Sequence, residues 1–129
     1  MRKLHLTFAL IALGLIANCQ VTNNVQAMVA GYNAKDTIPL EDFCNIKQLS
    51  VNSNEYTIAK YAFTFGHGGY IYNYLSPSNR ITEQIKTSFD GFRDKDEKYL
   101  RVFFCDIIVR NFNGEKSKIS DLTYILKIK

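Results

Sequence analysis

The stretch that most constrains this chain is a hairpin written into residues 56–75. Tyr56 to Phe65 is rich in β-branched and aromatic residues, and Thr57, Ala59, Tyr61, Phe63 and Phe65 share one side of an extended strand. Gly66-His67-Gly68-Gly69 then supplies residues that accept positive φ, and Tyr70 to Leu75 returns as a second strand. Period-two patterning on both sides of a glycine turn commits this part of the chain to an antiparallel sheet.

The flanking segments extend that sheet. Asn45 to Val51 reads as an earlier strand, closed by the turn cluster Asn52-Ser53-Asn54. After the hairpin the period changes. Ser76-Pro77-Ser78-Asn79 offers cap residues and a proline suited to a first helical turn, and Ile81, Ile85 and Phe89 follow at i, i+4, i+8. Gly91 ends this helix, and Arg93 to Lys98 forms a charged, solvated loop. Tyr99 to Arg110 is a long strand, apolar on both faces around Val102, Phe103, Phe104, Ile107 and Ile108, as suits a central position. Asn111-Phe112-Asn113-Gly114 turns the chain into a last strand, where Leu122, Tyr124, Leu126 and Ile128 alternate with polar residues. The expectation is a mostly β fold with one helix between strands 3 and 4. Two closures are open: a five-stranded OB-like barrel, or a half-open antiparallel sheet with the helix packed across it.

The N-terminus reads as an export leader. Arg2, Lys3 and His5 precede an apolar run from Leu6 to Ala17, too short to span a bilayer. Two ends are open. Val25-Gln26-Ala27 has the small-residue spacing of a signal-peptidase site, giving a signal peptide over 1–27. Ile16-Ala17-Asn18-Cys19 resembles a lipoprotein box, giving a leader over 1–18 and an acylated Cys19. Residues 28–40 read as a flexible lead-in and 41–129 as a single OB-like domain. Of the three cysteines, Cys44 and Cys105 fall within that domain. In an oxidising compartment such a pair is expected as a disulfide, which by closing about 60 residues would contribute on the order of 4 kcal/mol.

Charge and chemistry exclude more than they assign. Without Arg2 and Lys3, 14 basic residues face 12 acidic ones, and the basic residues are scattered, so nucleic acid is not an expected partner. A C-terminal group of Lys116, Lys118, Lys127 and Lys129 reads as a solvated edge that can touch an anionic surface. Asn is frequent, yet no Asn-X-Ser/Thr acceptor occurs, in keeping with a bacterial source. His67 stands alone on its glycine turn and lacks the spacing of a zinc site. Asp90, Asp94, Asp96 and Glu97 do not fit an EF-hand loop. No catalytic group, metal or cofactor is therefore assigned, and a small secreted hydrolase ranks last among the functions considered. Tyr70, Tyr72 and Tyr74 sit at period two and would present a stacking face for a sugar or protein if that face is outward; otherwise they line the core.

The layout resembles the OB-fold B subunits of bacterial AB5 toxins, of the cholera and subtilase/typhoid types. The shared elements are the leader, Asp42-Phe43-Cys44 at the start of the domain, the helix Ile81–Phe89, and a later strand carrying Phe103-Phe104-Cys105. In cholera-type subunits one disulfide joins those two places, so the resemblance implies a Cys44–Cys105 bridge. It also implies a secreted or periplasmic virulence factor that binds a cell surface, with a homo-oligomeric ring as its assembly. The chain has no Trp, so the sugar-stacking residue of that family does not carry over. The leading expectation is an exported, non-enzymatic protein that recognises a glycan or protein at a cell surface. Its alternative is an outer-membrane lipoprotein, bound to the membrane through Cys19, acting as a structural or inhibitory partner of a secretion or envelope machine.

Overall fold

The computed structural model describes residues 24–92 and 98–128. The strands are β1 (Ala27–Val29), β2 (Thr37–Pro39), β3 (Leu49–Val51), β4 (Tyr56–His67), β5 (Tyr70–Ser76), β6 (Tyr99–Asn111), β7 (Lys116–Lys118) and β8 (Leu122–Lys127). Two short helices, α1 (Leu40–Asn45) and α2 (Glu83–Thr87), and a 3-10 turn (Asp90–Phe92) complete the described elements. The chain is mostly β.

Its main sheet is open, with strand order β2-β8-β6-β4-β5 and β7 hydrogen-bonded to part of β6; β1 and β3 form a separate ribbon. The barrel alternative is thereby corrected: β5 and β2 end the sheet as two edges and do not meet. The sheet is also mixed, because β2 runs parallel to β8 while the other pairs are antiparallel. Such a parallel pair requires a long crossover, supplied here by nearly the whole chain between β2 and β8.

The central hairpin forms as its sequence demands. Gly68 and Gly69 both take positive φ, 59° and 82°, and join β4 to β5 through a two-residue turn. At the next reversal, Asn111 Oδ1 accepts the backbone N–H groups of Asn113 and Glu115, and Gly114 takes φ 80°.

Irregularities in β4 and β6 explain the mixed reading of their faces. The β4–β6 register shifts between Ile58 and Lys60 and again between Lys60 and Ala62, and Asp106 in β6 adopts φ 50°. The inward set on β4 is therefore Ile58, Tyr61, Phe63 and Phe65, not Thr57 and Ala59. On β6 it is Leu100, Val102 and Phe104, then Ile107 and Val109 after the bulge. The phase slip brings Val102, Phe104 and Ile107 to the inward face, while Phe103 and Ile108 of the same apolar run stay on the outer one.

Both helices cover this inward face. Phe43 of α1, Phe89, and Phe63, Phe65 and Phe104 of the sheet form one aromatic cluster, with centroids as close as 5.0 Å for Phe63 and Phe104. Ile81, Ile85 and Phe89 are all buried, as the stripe predicts, but the helix is shorter than three turns. Thr82 caps it, accepting the Ile85 N–H at 3.3 Å. Ser76 instead stays in β5, and its hydroxyl donates to the carbonyls of Ser78 and Arg80, turning 77–80 toward a bridge with Gln48. Of the strand predicted over Asn45 to Val51, only Leu49–Val51 forms, as β3; Asn45 ends α1 and Gln48 makes the isolated bridge.

Residues on both sides of the Ala27 cleavage option pack into the fold. Val25, Ala27, Val29 and Ile38 are buried, β1 pairs with β3, and Val29 N–H donates to the buried hydroxyl oxygen of Tyr124 at 3.0 Å. The expected Cys44–Cys105 disulfide is absent. Period two explains why: Phe104 points inward against α1, so Cys105 opens on the opposite side of the sheet, its thiol directed at the Ala62 carbonyl at 3.7 Å. Cys44, on α1, packs against the core on the covered side.

Candidate functional site

The outer face of the sheet carries the most distinctive surface, and no described element covers it. Alternation brings Ile71, Asn73 and Leu75 of β5 to this face, with Lys60, Ala62 and Thr64 of β4 beside them. From β6 come Tyr99, Arg101, Phe103, Cys105, Ile108 and Arg110, and from β8 Thr123, Ile125 and Lys127. Registers set these in rows: Leu75, Ala62, Cys105; then Asn73, Thr64, Phe103, Thr123; then Arg101, Ile125, Thr37. Ile71, Leu75, Tyr99 and Phe103 of this face are exposed large apolar residues, set in a band with the polar Asn73, Thr64, Thr123 and Thr37.

Cations frame that band. Lys60, Arg101, Arg110, Lys116, Lys118 and Lys127 occupy outward strand positions, against a single strand carboxylate, Asp106. Asp106 is neutralised by Lys118 at 2.9 Å, and the bond and charge of Asp106 raise the Lys118 pKa. Two shallow depressions mark the face. One, of about 430 Å³, is lined by Lys35, Arg101, Phe103, Thr123 and Ile125. The other, of about 520 Å³, lies beside the β4 and β6 irregularities, with Leu75, Pro77 and Ile108 as apolar wall and Lys60 and Lys118 at its rim. This geometry suits broad contact with an acidic surface that also offers apolar groups.

The residues singled out from sequence lie elsewhere. Tyr72 and Tyr74 are half-buried on the covered face and stack on Phe65, at 4.9 and 6.5 Å between centroids. Tyr70 alone of the three is largely exposed. Tyr72 and Tyr74 therefore pack against the core, and Tyr70 stands exposed at the start of β5. His67 is half-buried at the end of β4, its ring 4.5 Å from Phe92. Asp90 opens the 3-10 turn, while Cys19, Asp94, Asp96, Glu97 and Lys129 lie outside the described residues. Lys116 and Lys118 lie beside Arg110 and Ile108 of β6, and Lys127 beside Tyr99 at its other end, so the expected lysine group is split between two ends of the sheet. Among the described residues, no group of three or more His, Cys, Asp or Glu side chains converges. Burial, then the charges of Asp121 and Asp106, push the Cys105 thiol up, which keeps it protonated at neutral pH.

Phe103, Arg101 and Ile125 are the residues that sequence reasoning passed over. Their signal was present, as alternate positions on β8 and on β6 ahead of its bulge, but which alternate set would be covered is a tertiary matter. No family model matches the chain, and no curated protein matches it.

Proposed function

We propose that this chain is an exported, non-enzymatic binding protein held at the bacterial envelope, and that it grips an acidic protein partner with the basic, apolar outer face of its sheet. The carrying observation is that face: cations framing exposed Phe103, Ile71 and Leu75 on a sheet whose other side is packed by both helices. A flat surface of this kind matches a protein interface better than a sugar pocket, because it offers area and charge without an enclosed cleft.

Envelope retention is favoured over free secretion by the start of the fold. A cut after Ala27 would sever β1 and discard the buried Val25 and Ala27. A leader ending before Cys19 leaves both in place, with a short tether between an acylated Cys19 and Asn24.

Two measurements test this reading. Mass spectrometry of the mature N-terminus should find an acylated Cys19; a chain starting at Met28 would refute envelope tethering. A photo-crosslinking residue replacing Phe103 should give a discrete adduct in producing cells, lost with Arg101→Glu. Equal adducts from Glu55, just before β4 and at its far end from Phe103, would refute the assigned surface.

A further inference from the structure

We propose that the β5 edge of the sheet pairs with a second copy of the same chain, antiparallel and two-fold symmetric about Asn73. The two sheet edges differ sharply. β2 is three residues long and ends in Pro39, devices that blunt an edge. β5 has seven residues, holds continuous register with β4 from Ser76 to Tyr70, and contains no proline, lysine or bulge. Among the described residues no strand pairs with its outer side, and natural sheets seldom leave such an edge bare.

Backbone geometry fixes which groups it offers. The residues flanking a two-residue turn form a hydrogen-bonded pair, so Tyr70, Tyr72 and Tyr74 direct their backbone groups at β4. Ile71, Asn73 and Leu75 then aim theirs away from the sheet. Their side chains share the outer face, where Ile71 is 82% and Leu75 74% exposed.

The occupant follows from the sequence of the edge. Tyr70-Ile71-Tyr72-Asn73-Tyr74-Leu75-Ser76 is nearly symmetric in character about Asn73 and carries no charge. Set antiparallel on itself, Asn73 meets the partner's Asn73, Ile71 meets the partner's Leu75, and Tyr72 meets the partner's Tyr74. All three outward residues then fall in hydrogen-bonded positions, about six bonds in total. No like charges oppose one another, and aliphatic and aromatic residues each meet their own kind. The contact is isologous and consumes the edge, so assembly stops at two.

The test uses protein purified from cells expressing the full-length gene. Sedimentation should show a dimer, with Asn73→Pro raising its dissociation constant at least about tenfold, because the central donor is lost. Independently, Asn73→Cys should form a disulfide-linked dimer on mild oxidation, above the parent chain's background, since the central Cα atoms would lie about 5.5 Å apart. Ile71→Cys should not, because it would sit roughly 14 Å from its own symmetry mate. A monomer at every concentration overturns the proposal, as does equal cross-linking at the two positions. Capture of an extended peptide by a monomeric chain would likewise overturn it, assigning the edge to a different occupant.

Discussion

Replacing Tyr124 by Phe removes a single oxygen and tests whether the segment before β2 belongs to the folded domain. In the structure the Tyr124 hydroxyl accepts the Val29 N–H at 3.0 Å and donates to the Tyr32 carbonyl at 3.3 Å. Val29 is fully buried, so its amide has no route to water once the oxygen is gone. An orphaned buried donor costs about 1–3 kcal/mol, and the longer bond to Tyr32 adds a few tenths. The ring itself still packs edge-on against Phe104, so no cavity larger than the oxygen appears. The expected loss is about 2 kcal/mol, equivalent to roughly 10 °C in melting temperature for a domain of about 100 residues. Urea unfolding should show a lower midpoint with an unchanged slope, since the surface exposed on unfolding barely changes. Hydrogen exchange should show the Val29 amide losing protection beyond the global change. A loss below about 0.5 kcal/mol with Val29 still protected would refute the docking of residues 24–32, and with it the case against cleavage at Ala27.

Two further predictions concern ionisable groups. Burial pushes the Tyr61 pKa up to about 12, with the Ser76 hydrogen bond acting weakly against it. Because the folded value is raised above the unfolded value near 10, this stabilising contribution is complete below about pH 10 and is lost as pH climbs toward 12, by at most roughly 2.7 kcal/mol. Tyr61→Phe should therefore be less stable at neutral pH, having lost its 2.6 Å bond to the Arg80 carbonyl, yet decline less steeply than the parent between pH 10 and 12; parallel urea midpoints would contradict this. With no bridge between Cys44 and Cys105, reductant should move the melting temperature by less than about 1 °C, and Cys105 should react slowly with a thiol reagent at neutral pH. A large reductant-dependent drop would reinstate the disulfide.

Local signals accounted for a good share of the fold. The glycines at 68 and 69, the Asn-Gly turn and the stripe Ile81, Ile85, Phe89 act over a few residues, so they are legible in one dimension. The short elements were not. β1, β2 and β7 have three residues each, too few to show a period, and each exists because a distant strand offers it hydrogen bonds. α1 was hidden for a different reason: its six residues form a helix largely because Leu40 and Phe43 are buried against the sheet.

The candidate face shows the same division. Sequence alone determined that strands alternate, and so that Tyr72 and Tyr74 lie on one side of the sheet and Ile71 and Leu75 on the other. It did not determine which side is covered. That was decided when α1 and α2 came to rest on the side of Phe63 and Phe104, because a sheet becomes stable by burying one face and either face is open to that role until the helices pack. The same packing left Phe103 and Arg101 facing outward and put Cys44 and Cys105 on opposite sides of the sheet. Closure was likewise a tertiary outcome: whether a curled sheet becomes a barrel depends on its outer strands meeting, and β2, recruited beside β8, stands at the far edge from β5.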